Sequence, residues 1–407
     1  MTRRQLLNGI KWIHRWTGLV TGIIVSIVCF TGSLWVFRQE CQPLLEPYQR
    51  ITPEAGSYLP PELLRERALA EMTTHEPDDT SFTLQSLTYR RRFETAVAVF
   101  HREQTDAIRT LHFNPYTGKL ARYIEGHGLN SEVFMVIIRG HRWLWLPPAI
   151  GSPIVGGATL VFILICITGL IWWYPKKWNR RTAKKSFTVA WRSGFKRLNL
   201  DLHNVFGFYA AVLLIILAIT GVVYSFQWFR QGYYGLLSGG KQFAYPTAQG
   251  TPTPIDGTNS HDAANRIYHN ILAHYDSRVD RVMLLYPQKD ADWFRVSINL
   301  NEQKWHTSRL LYFDPVTANE VSGAWEPPAR VRTVGEQLFE KNLDIHVGSI
   351  GGLPTKILAS LVSLVGASLP ITGFIIWYNR KYGKKKRKCR GTSKRLGQPR
   401  RRMLHGS

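Results

Sequence analysis

The stretch LHNVFGFYAAVLLIILAITGVVYSF, Leu202–Phe226, decides the fold because it is long and apolar enough to cross a bilayer. Its only acidic, basic or histidine side chain is His203, next to its start. The stretch IHRWTGLVTGIIVSIVCFTGSLWVF, residues 13–37, has the same pattern, with Gly at position +4 and Thr-Gly at +17 and +18 from its histidine. Looser copies span residues 141–169 and 346–373. The sequence therefore predicts four membrane spans, each associated with a histidine.

Four apolar blocks of about 20 residues match the thickness of a hydrocarbon core, about 30 Å. The blocks are Trp16–Phe37, Ile154–Tyr174, Phe206–Phe229 and Ile357–Tyr378. A soluble helix would rarely run so far without a charge. The first block is too long for a signal peptide and has no small-x-small cleavage site after it, which indicates an uncleaved anchor.

The net charge of +24 is distributed as in a membrane protein with basic cytoplasmic segments. Residues 175–199 hold nine basic side chains and no acid, and the N-terminus and the tail are also basic. The long loops, residues 39–146 and 230–350, hold nearly all the acids. This bias predicts cytoplasmic termini, a cytoplasmic middle loop and two outer loops. It argues against nucleic-acid binding, and the tail is expected near anionic membrane lipid.

The two halves of the chain repeat. ITGLIWWYPKK, residues 167–177, matches ITGFIIWYNRK, residues 371–381, at seven of eleven positions. LHFNPYTGK, residues 111–119, matches LYFDPVTAN, residues 311–319. Each half reads as a span, an outer module and a second span, so the halves are parallel repeats. In each module one helical pattern precedes several alternating runs, which predicts a small α+β unit with a helix on an antiparallel sheet.

The predicted fold is an all-α four-helix transmembrane bundle from a tandem duplication, with two α+β outer modules. Pro147, Pro148 and Pro354 interrupt the entries to spans two and four, so the preceding histidines are expected on short helices or bends. The predicted segments are span one (12–38), module one (39–135), a pre-helix with span two (136–175), a basic cytoplasmic loop (176–201), span three (202–230), module two (231–335), a pre-helix with span four (336–379) and a basic cytoplasmic tail (380–407).

The four histidines are candidate cofactor ligands, because ionisable residues at membrane depth usually have a function. His14 and His203 are predicted at the cytoplasmic ends of their spans, and His141 and His346 at the outer ends. A low-spin haem takes two axial nitrogens from facing helices, and imidazole suits this role. No CxxCH motif would attach a haem covalently. The pattern predicts two non-covalent, bis-histidine b-type haems, which would form an electron path across the bilayer.

Glycines near the histidines are expected to leave room for a flat macrocycle. Gly32 and Gly221 each lie 18 residues after a histidine, which is five helical turns and about 27 Å. They would therefore leave room for the macrocycle of the outer haem. Gly18 and Gly207, one turn from each histidine, would clear the inner ring. Ordinary helix packing is the alternative role for such small residues.

Three features recur in this sequence: LHxxxG followed by an apolar run and Thr-Gly, a DPxTG-like turn, and a span that ends in TGLxxW. Together they resemble the PepSY-associated transmembrane helix family, over residues 10–382. Asn114 and Ala318 depart from the Asp and Gly of the turn pattern. The resemblance implies a bacterial inner-membrane protein of iron acquisition, including reductases that free iron from ferric siderophores in the periplasm. Some members carry a fused flavoprotein domain, but this sequence has no GxGxxG or flavin motif.

Several other residues are candidates for contact with a cofactor or a substrate. Arg15 and Arg142 could pair with haem propionates, although topogenic or headgroup contacts remain open. His127 could be a spare ligand or touch the substrate. Outer-loop candidates for contact with an iron chelate are Arg90, Arg91, Arg92, Trp293, Trp305 and Trp325.

We therefore predict a di-haem b-type membrane reductase that carries electrons from the cytoplasmic side to the periplasm and reduces ferric-siderophore iron to Fe(II). No catalytic residue is predicted beyond the haem ligands. The donor would be a quinol, a small diffusible reductant or a separate flavoprotein. Two alternatives stay open: a non-enzymatic PepSY scaffold that binds a partner or regulates a protease, and a metal or siderophore transporter. The lack of Asp and Glu within the spans argues against transport.

Overall fold

The computed structural model contains four long apolar helices and a seven-stranded antiparallel sheet. It describes residues 2–90, 93–175, 178–244, 247–248, 250–255, 262–275, 279–289, 292–321 and 333–382. The predicted basic tail after residue 382, and the candidates Arg91, Arg92 and Trp325, lie outside the described residues.

The helices alternate between membrane spans and short outer or connecting segments. They are α1 (Arg3–Trp35), α2 (Arg38–Leu45), α3 (Pro61–His75), α4 (Leu129–Trp143), α5 (Pro148–Trp173), α6 (Arg180–Phe187), α7 (Phe195–Asp201), α8 (Gly207–Val222), α9 (Gln227–Ser238), α10 (Ala263–Tyr275), α11 (Val334–Glu340), α12 (Asn342–His346) and α13 (Leu353–Tyr382). A π-helical turn, Leu202–Phe206, joins α7 to α8, so the third candidate span is continuous from Phe195 to Val222.

The four spans form a closed bundle in which α1 and α8 each pack against both α5 and α13. Its centre is an apolar cluster that includes Val25, Phe162, Leu214 and Val362. Small residues allow close approach between helices: a Cβ on Gly366 would lie 2.9 Å from Leu214. The chain is therefore a membrane protein, as its sequence predicted, with a packed apolar layer between the two ends of the bundle.

The two outer modules share one sheet, which the sequence did not predict. The strands are β1 (Thr83–Arg90), β2 (Ala96–Arg102), β3 (Ala107–Phe113), β4 (Leu120–Glu125), β5 (Arg281–Leu285), β6 (Phe294–Asn299) and β7 (Ser308–Phe313). Their order is β4-β3-β2-β1-β5-β6-β7, and each neighbouring pair is antiparallel. The strands of each module form hairpins, as the alternation predicted, and pairing of β1 with β5 joins the modules.

The two faces of the sheet differ in chemistry. One face carries fully buried apolar side chains such as Phe100 and Ile298, which form a core with α3 and α10. The opposite face is polar and packs against the chain that follows the first span, where Tyr48 contacts His112 at 5.0 Å between ring centroids. Burial, with a smaller effect of the Arg90 charge, lowers the pKa of His112 to about 4. The polar face is therefore turned toward the membrane bundle.

Short helices carry His141 and His346 at the sheet end of the bundle, as predicted. His141 lies in α4, after which Leu144 and Trp145 adopt φ values of 54° and 60° before α5 begins at Pro148. These left-handed residues reverse the chain between two helices, and proline is well suited to a first helical position. The Trp145 indole donates to the Val136 carbonyl at 2.9 Å and fixes the turn.

Candidate functional site: two histidine pairs in the bundle

The pair at the end of the bundle away from the sheet, named the inner pair after its predicted side, brings together the first and third spans. His14 lies in α1, and His203 lies in the π-helical turn between α7 and α8. Their ring centroids are 6.5 Å apart and their planes are inclined at 83°. π-helical turns are often found at functional sites, and here one aims a predicted ligand at its partner.

The outer pair lies at the opposite end of the bundle. His141 of α4 and His346 of α12 have ring centroids 6.0 Å apart, with planes inclined at 50°. The structure thus brings together the same two pairs that the repeat symmetry predicted. Among the described residues, no group of three or more His, Cys, Asp or Glu side chains could hold a metal ion.

The separation within each pair suits one metal between two imidazoles. A metal–nitrogen bond of about 2 Å on each side, plus about 1 Å from each nitrogen to its ring centre, places facing imidazole centres about 6 Å apart. The observed 6.5 and 6.0 Å match this spacing. The spacing of the ring centres within each pair therefore matches that of two imidazoles on one metal.

Each histidine is oriented by the other span of its own half of the chain. The Nδ1 atom of His14 lies 3.0 Å from the Ile165 carbonyl and 3.2 Å from the Thr168 hydroxyl. The Nδ1 atom of His141 lies 2.9 Å from the Val28 carbonyl. Because a carbonyl oxygen only accepts, Nδ1 carries the proton in both rings. This leaves Nε2 unprotonated and able to bind a metal.

The second half of the chain repeats this arrangement. The Nδ1 atom of His346 lies 2.9 Å from the Leu217 carbonyl and 3.1 Å from the Thr220 hydroxyl. The Nδ1 atom of His203 lies 2.9 Å from the Thr372 hydroxyl. That hydroxyl itself contacts carbonyls of its own helix, so it accepts from the imidazole. The threonine of the Thr-Gly motif therefore helps to set the imidazole tautomer.

The glycine of each Thr-Gly motif lies against an imidazole ring. A Cβ atom at this position would lie between 2.8 and 3.3 Å from Cε1 of the ring, which is too close at the outer pair and tight at the inner pair. The contacts are Gly32 with His141, Gly221 with His346, Gly169 with His14 and Gly373 with His203. The sequence predicted that Gly32 and Gly221 make room for the macrocycle itself. The structure corrects this, because these glycines first make room for the histidine ligands.

Gly18 and Gly207 lie in open space beside the inner pair. Both line the inner cavity. Nothing lies within 4 Å of a Cβ built on Gly18, and only Leu369 lies near one built on Gly207, at 3.4 Å. These two positions therefore leave space beside the inner histidines for a planar ligand.

A cavity surrounds each pair. The inner cavity, about 660 Å³, contains His14 and His203, and the outer cavity, about 400 Å³, contains His141 and His346. Both volumes lie in the usual range of ligand pockets, about 300–1,000 Å³. Phe162 lines both cavities, so a thin apolar partition separates them.

Cationic side chains line both cavities. The inner one is bordered by Arg15, Lys185, Arg380 and Lys381, and none of its lining residues is acidic. The outer one includes Arg142. Guanidinium and ammonium groups bind carboxylates strongly, so these side chains fit the propionates of a haem.

The other sequence candidates are scattered. Trp305 lines the outer cavity, whereas His127 lies in an exposed turn before α4 and lines neither cavity. Arg90 lies on the polar face of the sheet beside Glu94, at 3.3 Å. Trp293 borders β6 and lines neither cavity.

Comparison with known families agrees with this architecture. The family model described as the PepSY-associated TM region matches residues 11–380. The chain belongs to this family. A search of curated proteins found no match.

In this PepSY-associated protein, the contacts that support the four histidines were not predictable from local sequence. The four Thr-Gly pairs are visible in the sequence, but local pattern does not show that each packs against a histidine from another element of the same half of the chain. The role of Asn199 was not predicted either: this residue is buried, and its amide donates to the Thr372 carbonyl at 3.1 Å and ties α7 to α13 beside His203. The recurrence of Thr-Gly in all four spans was the available signal.

Proposed function

We propose that this PepSY-associated protein is a di-haem b-type membrane reductase that moves electrons to the periplasm and reduces ferric-siderophore iron to Fe(II). The observation that carries the proposal is the presence of two imidazole pairs, 6.5 and 6.0 Å between ring centroids, at opposite ends of one bundle. Each pair is suited to a bis-histidine haem, and a bound haem supplies one-electron chemistry.

The chain's own residues would hold and isolate these groups. The carbonyls of Ile165, Val28 and Leu217 accept Nδ1 protons, which would leave Nε2 free to hold the haem iron. Hydrogen bonds of this kind to the far ring nitrogen raise ligand basicity and fix ring orientation. The apolar cluster between the cavities excludes water from the middle of the bundle.

Reduction of the substrate iron is a one-electron step, Fe(III) to Fe(II), with no bond formed to the protein. The lower charge of Fe(II) weakens its attraction for hard oxygen donors such as hydroxamate and catecholate. The donor is proposed to be a quinol, a small reductant or a flavoprotein at the cytoplasmic end. The proposal places the protein in a bacterial inner membrane, with both termini cytoplasmic and with two halves that arose by duplication.

The transporter alternative has less support from the interior of the bundle. Hydrophobic residues such as Phe162, Leu214 and Val25 fill the region between the cavities. A metal ion crossing this layer would lack polar partners, which is costly at membrane depth. Electron transfer needs no polar path through the same layer.

The proposal is tested with proteoliposomes that contain dithionite inside and a ferric trihydroxamate with a ferrous-specific dye outside. Dye–Fe(II) formation that requires the protein, and that falls at least tenfold in His14→Ala and in His141→Ala, supports transmembrane reduction. Equal rates in protein-free liposomes and proteoliposomes would refute it.

A further inference from the structure

One turn of the sheet departs from the symmetry of the two modules. In the first module β2 and β3 pair to Arg102 and Ala107, leaving a turn of residues 103–106. In the second module β6 and β7 pair only to Asn299 and Ser308, leaving residues 300–307. The longer turn contains a short 3-10 helix, Trp305–Thr307.

This turn is the part of the sheet that reaches the outer cavity. Among the described residues that line the cavity, Trp305 alone belongs to the strands and turns of the sheet. Its ring stacks on Trp35, which ends the first span and also lines the cavity, with centroids 5.8 Å apart and planes inclined at 22°. Offset stacking of this kind is favourable beyond the area that it buries. Trp305 is partly exposed.

A buried carboxylate next to an outer ligand holds the turn. Asp344 is fully buried in α12, two residues before His346. Its oxygens accept from the backbone amides of Trp305 and His306, each at 2.9 Å, and from Ser349. Hydrogen bonds to a carboxylate are stronger than neutral ones, so the turn is fixed to the element that carries the ligand.

A second attachment links the same turn to α2 and to the fourth span. The side-chain amide of Gln39, in α2, donates to the Glu302 carbonyl. The Gln39 oxygen accepts from the buried ammonium of Lys356, in α13, at 3.1 Å. Three membrane-side elements therefore converge on this turn, and no such arrangement surrounds the described turn at residues 103–106.

We propose that residues 300–307, the Trp305 turn, cover the periplasmic mouth of the outer cavity. This turn is the surface against which a ferric chelate docks and is reduced. This rests on the proposed function. One electron passes outward and converts Fe(III) of the chelate to Fe(II); the reductant is the quinol, small reductant or flavoprotein already named. With both imidazoles of a pair holding a haem, the chelate would have no free coordination position on the outer group and would react at the edge of the cavity. The partly exposed indole is the contact that the structure offers there.

The first measurement avoids electron transfer altogether. Binding of the gallium(III) complex of a trihydroxamate, which is not reduced, is followed by isothermal titration calorimetry. Trp305→Leu should weaken binding at least fivefold and Trp305→Phe less, whereas Thr105→Leu, in the turn of the first module, should change it less than twofold. Equal binding by the wild type and Trp305→Leu would overturn the proposal.

The second measurement separates this proposal from the function on which it rests. Reduced protein is mixed with the ferric trihydroxamate, and its reoxidation is followed optically. The haem content and both midpoint potentials of each variant are measured in parallel. Trp305→Leu should slow reoxidation about tenfold with haem content and potentials unchanged. A shifted outer potential would assign Trp305 to ligand positioning and overturn docking. A wild type without haem would overturn both proposals, while normal haem with unaltered reoxidation in Trp305→Leu would overturn this one alone.

Discussion

At the scale of single residues, the same arrangement surrounds each of the four histidines. Each histidine enters a notch in a span of its own half of the chain, where a carbonyl or a threonine hydroxyl takes its Nδ1 proton and a glycine leaves space for its ring. The notch fixes both the tautomer and the position of the imidazole. The Thr-Gly motif is therefore explained by the histidine that it receives.

Gly32→Ala should selectively weaken the outer site. Its Cβ would lie 2.8 Å from Cε1 of His141, so the imidazole must move. Overpacking of this kind costs about 1–3 kcal/mol, which predicts a loss of about tenfold or more in haem affinity at the outer site. Gly157→Ala is the control, because nothing lies within 4 Å of its Cβ. Haem titration of the apoprotein measures both, and equal affinities for the two variants would contradict the notch.

His112 should make the sheet sensitive to acid. Burial lowers its pKa from 6.5 to about 4, so the folded protein holds it neutral while the unfolded chain takes up a proton below pH 6.5. The contribution of neutral His112 to the free energy of unfolding is therefore complete above pH 6.5 and is lost as the pH falls from 6.5 to 4. At pH 4.5 the loss is about 2.5 kcal/mol. His112→Gln should therefore lose less thermal stability between pH 7 and 4.5 than the wild type. Identical Tm shifts in detergent would exclude this role.

At the scale of elements, a buried ion pair joins α2 to the fourth span. The Lys356 side chain is 5% exposed and its ammonium lies 2.9 Å from Glu40, which is 37% exposed. The two partners thus differ in their access to water. Without its partner, Glu40 could be hydrated, whereas Lys356 could not.

Glu40→Ala should destabilise the protein more than Lys356→Met. The first change strands a buried cation with only the Gln39 oxygen at 3.1 Å, at a cost of about 3 kcal/mol, while the second leaves a partly hydrated carboxylate. Thermal unfolding in detergent compares the two. A larger fall in Tm for Lys356→Met would show that packing of the lysine stem, and not its charge, dominates here.

Elements were predictable where local periodicity determines them. The four spans follow from unbroken apolar runs, and the strands of each module from alternation. Pairing of β1 with β5 was not predictable, because Thr88 and its partner Met283 are almost two hundred residues apart and both strands have the same alternating pattern. The π-helical turn at His203 was also missed, since Leu202–Phe206 reads as ordinary helix in its sequence.

At the scale of the whole molecule, the histidine pairs were predictable from the repeat, but their surroundings were not. Equal spacing from histidine to Thr-Gly in two spans pointed to equivalent roles. Which span receives which ring depends on the order of helices around the bundle, and this order is a property of tertiary packing. The attachment of the Trp305 turn to Asp344 likewise joins segments that no local pattern connects.

The proposed orientation predicts opposite accessibility for the sheet and the basic loop. In a cysteine-free background, Gln104→Cys lies in an exposed turn of the sheet and Lys196→Cys at the exposed start of α7. A membrane-impermeant maleimide should label position 104 in intact spheroplasts and position 196 only after permeabilisation. Labelling of position 196 in intact spheroplasts would show that the topology is opposite to the proposed one.

The central claim is that the two histidine pairs hold two haems, and the optical spectrum with haem stoichiometry tests it most directly. We predict two b-type haems per purified chain, with one lost in His14→Ala and the other in His141→Ala. The residual α-band should differ between these variants, because the two cavities differ in charge and lining. A colourless protein after haem-replete expression, or one haem per chain, would contradict the account.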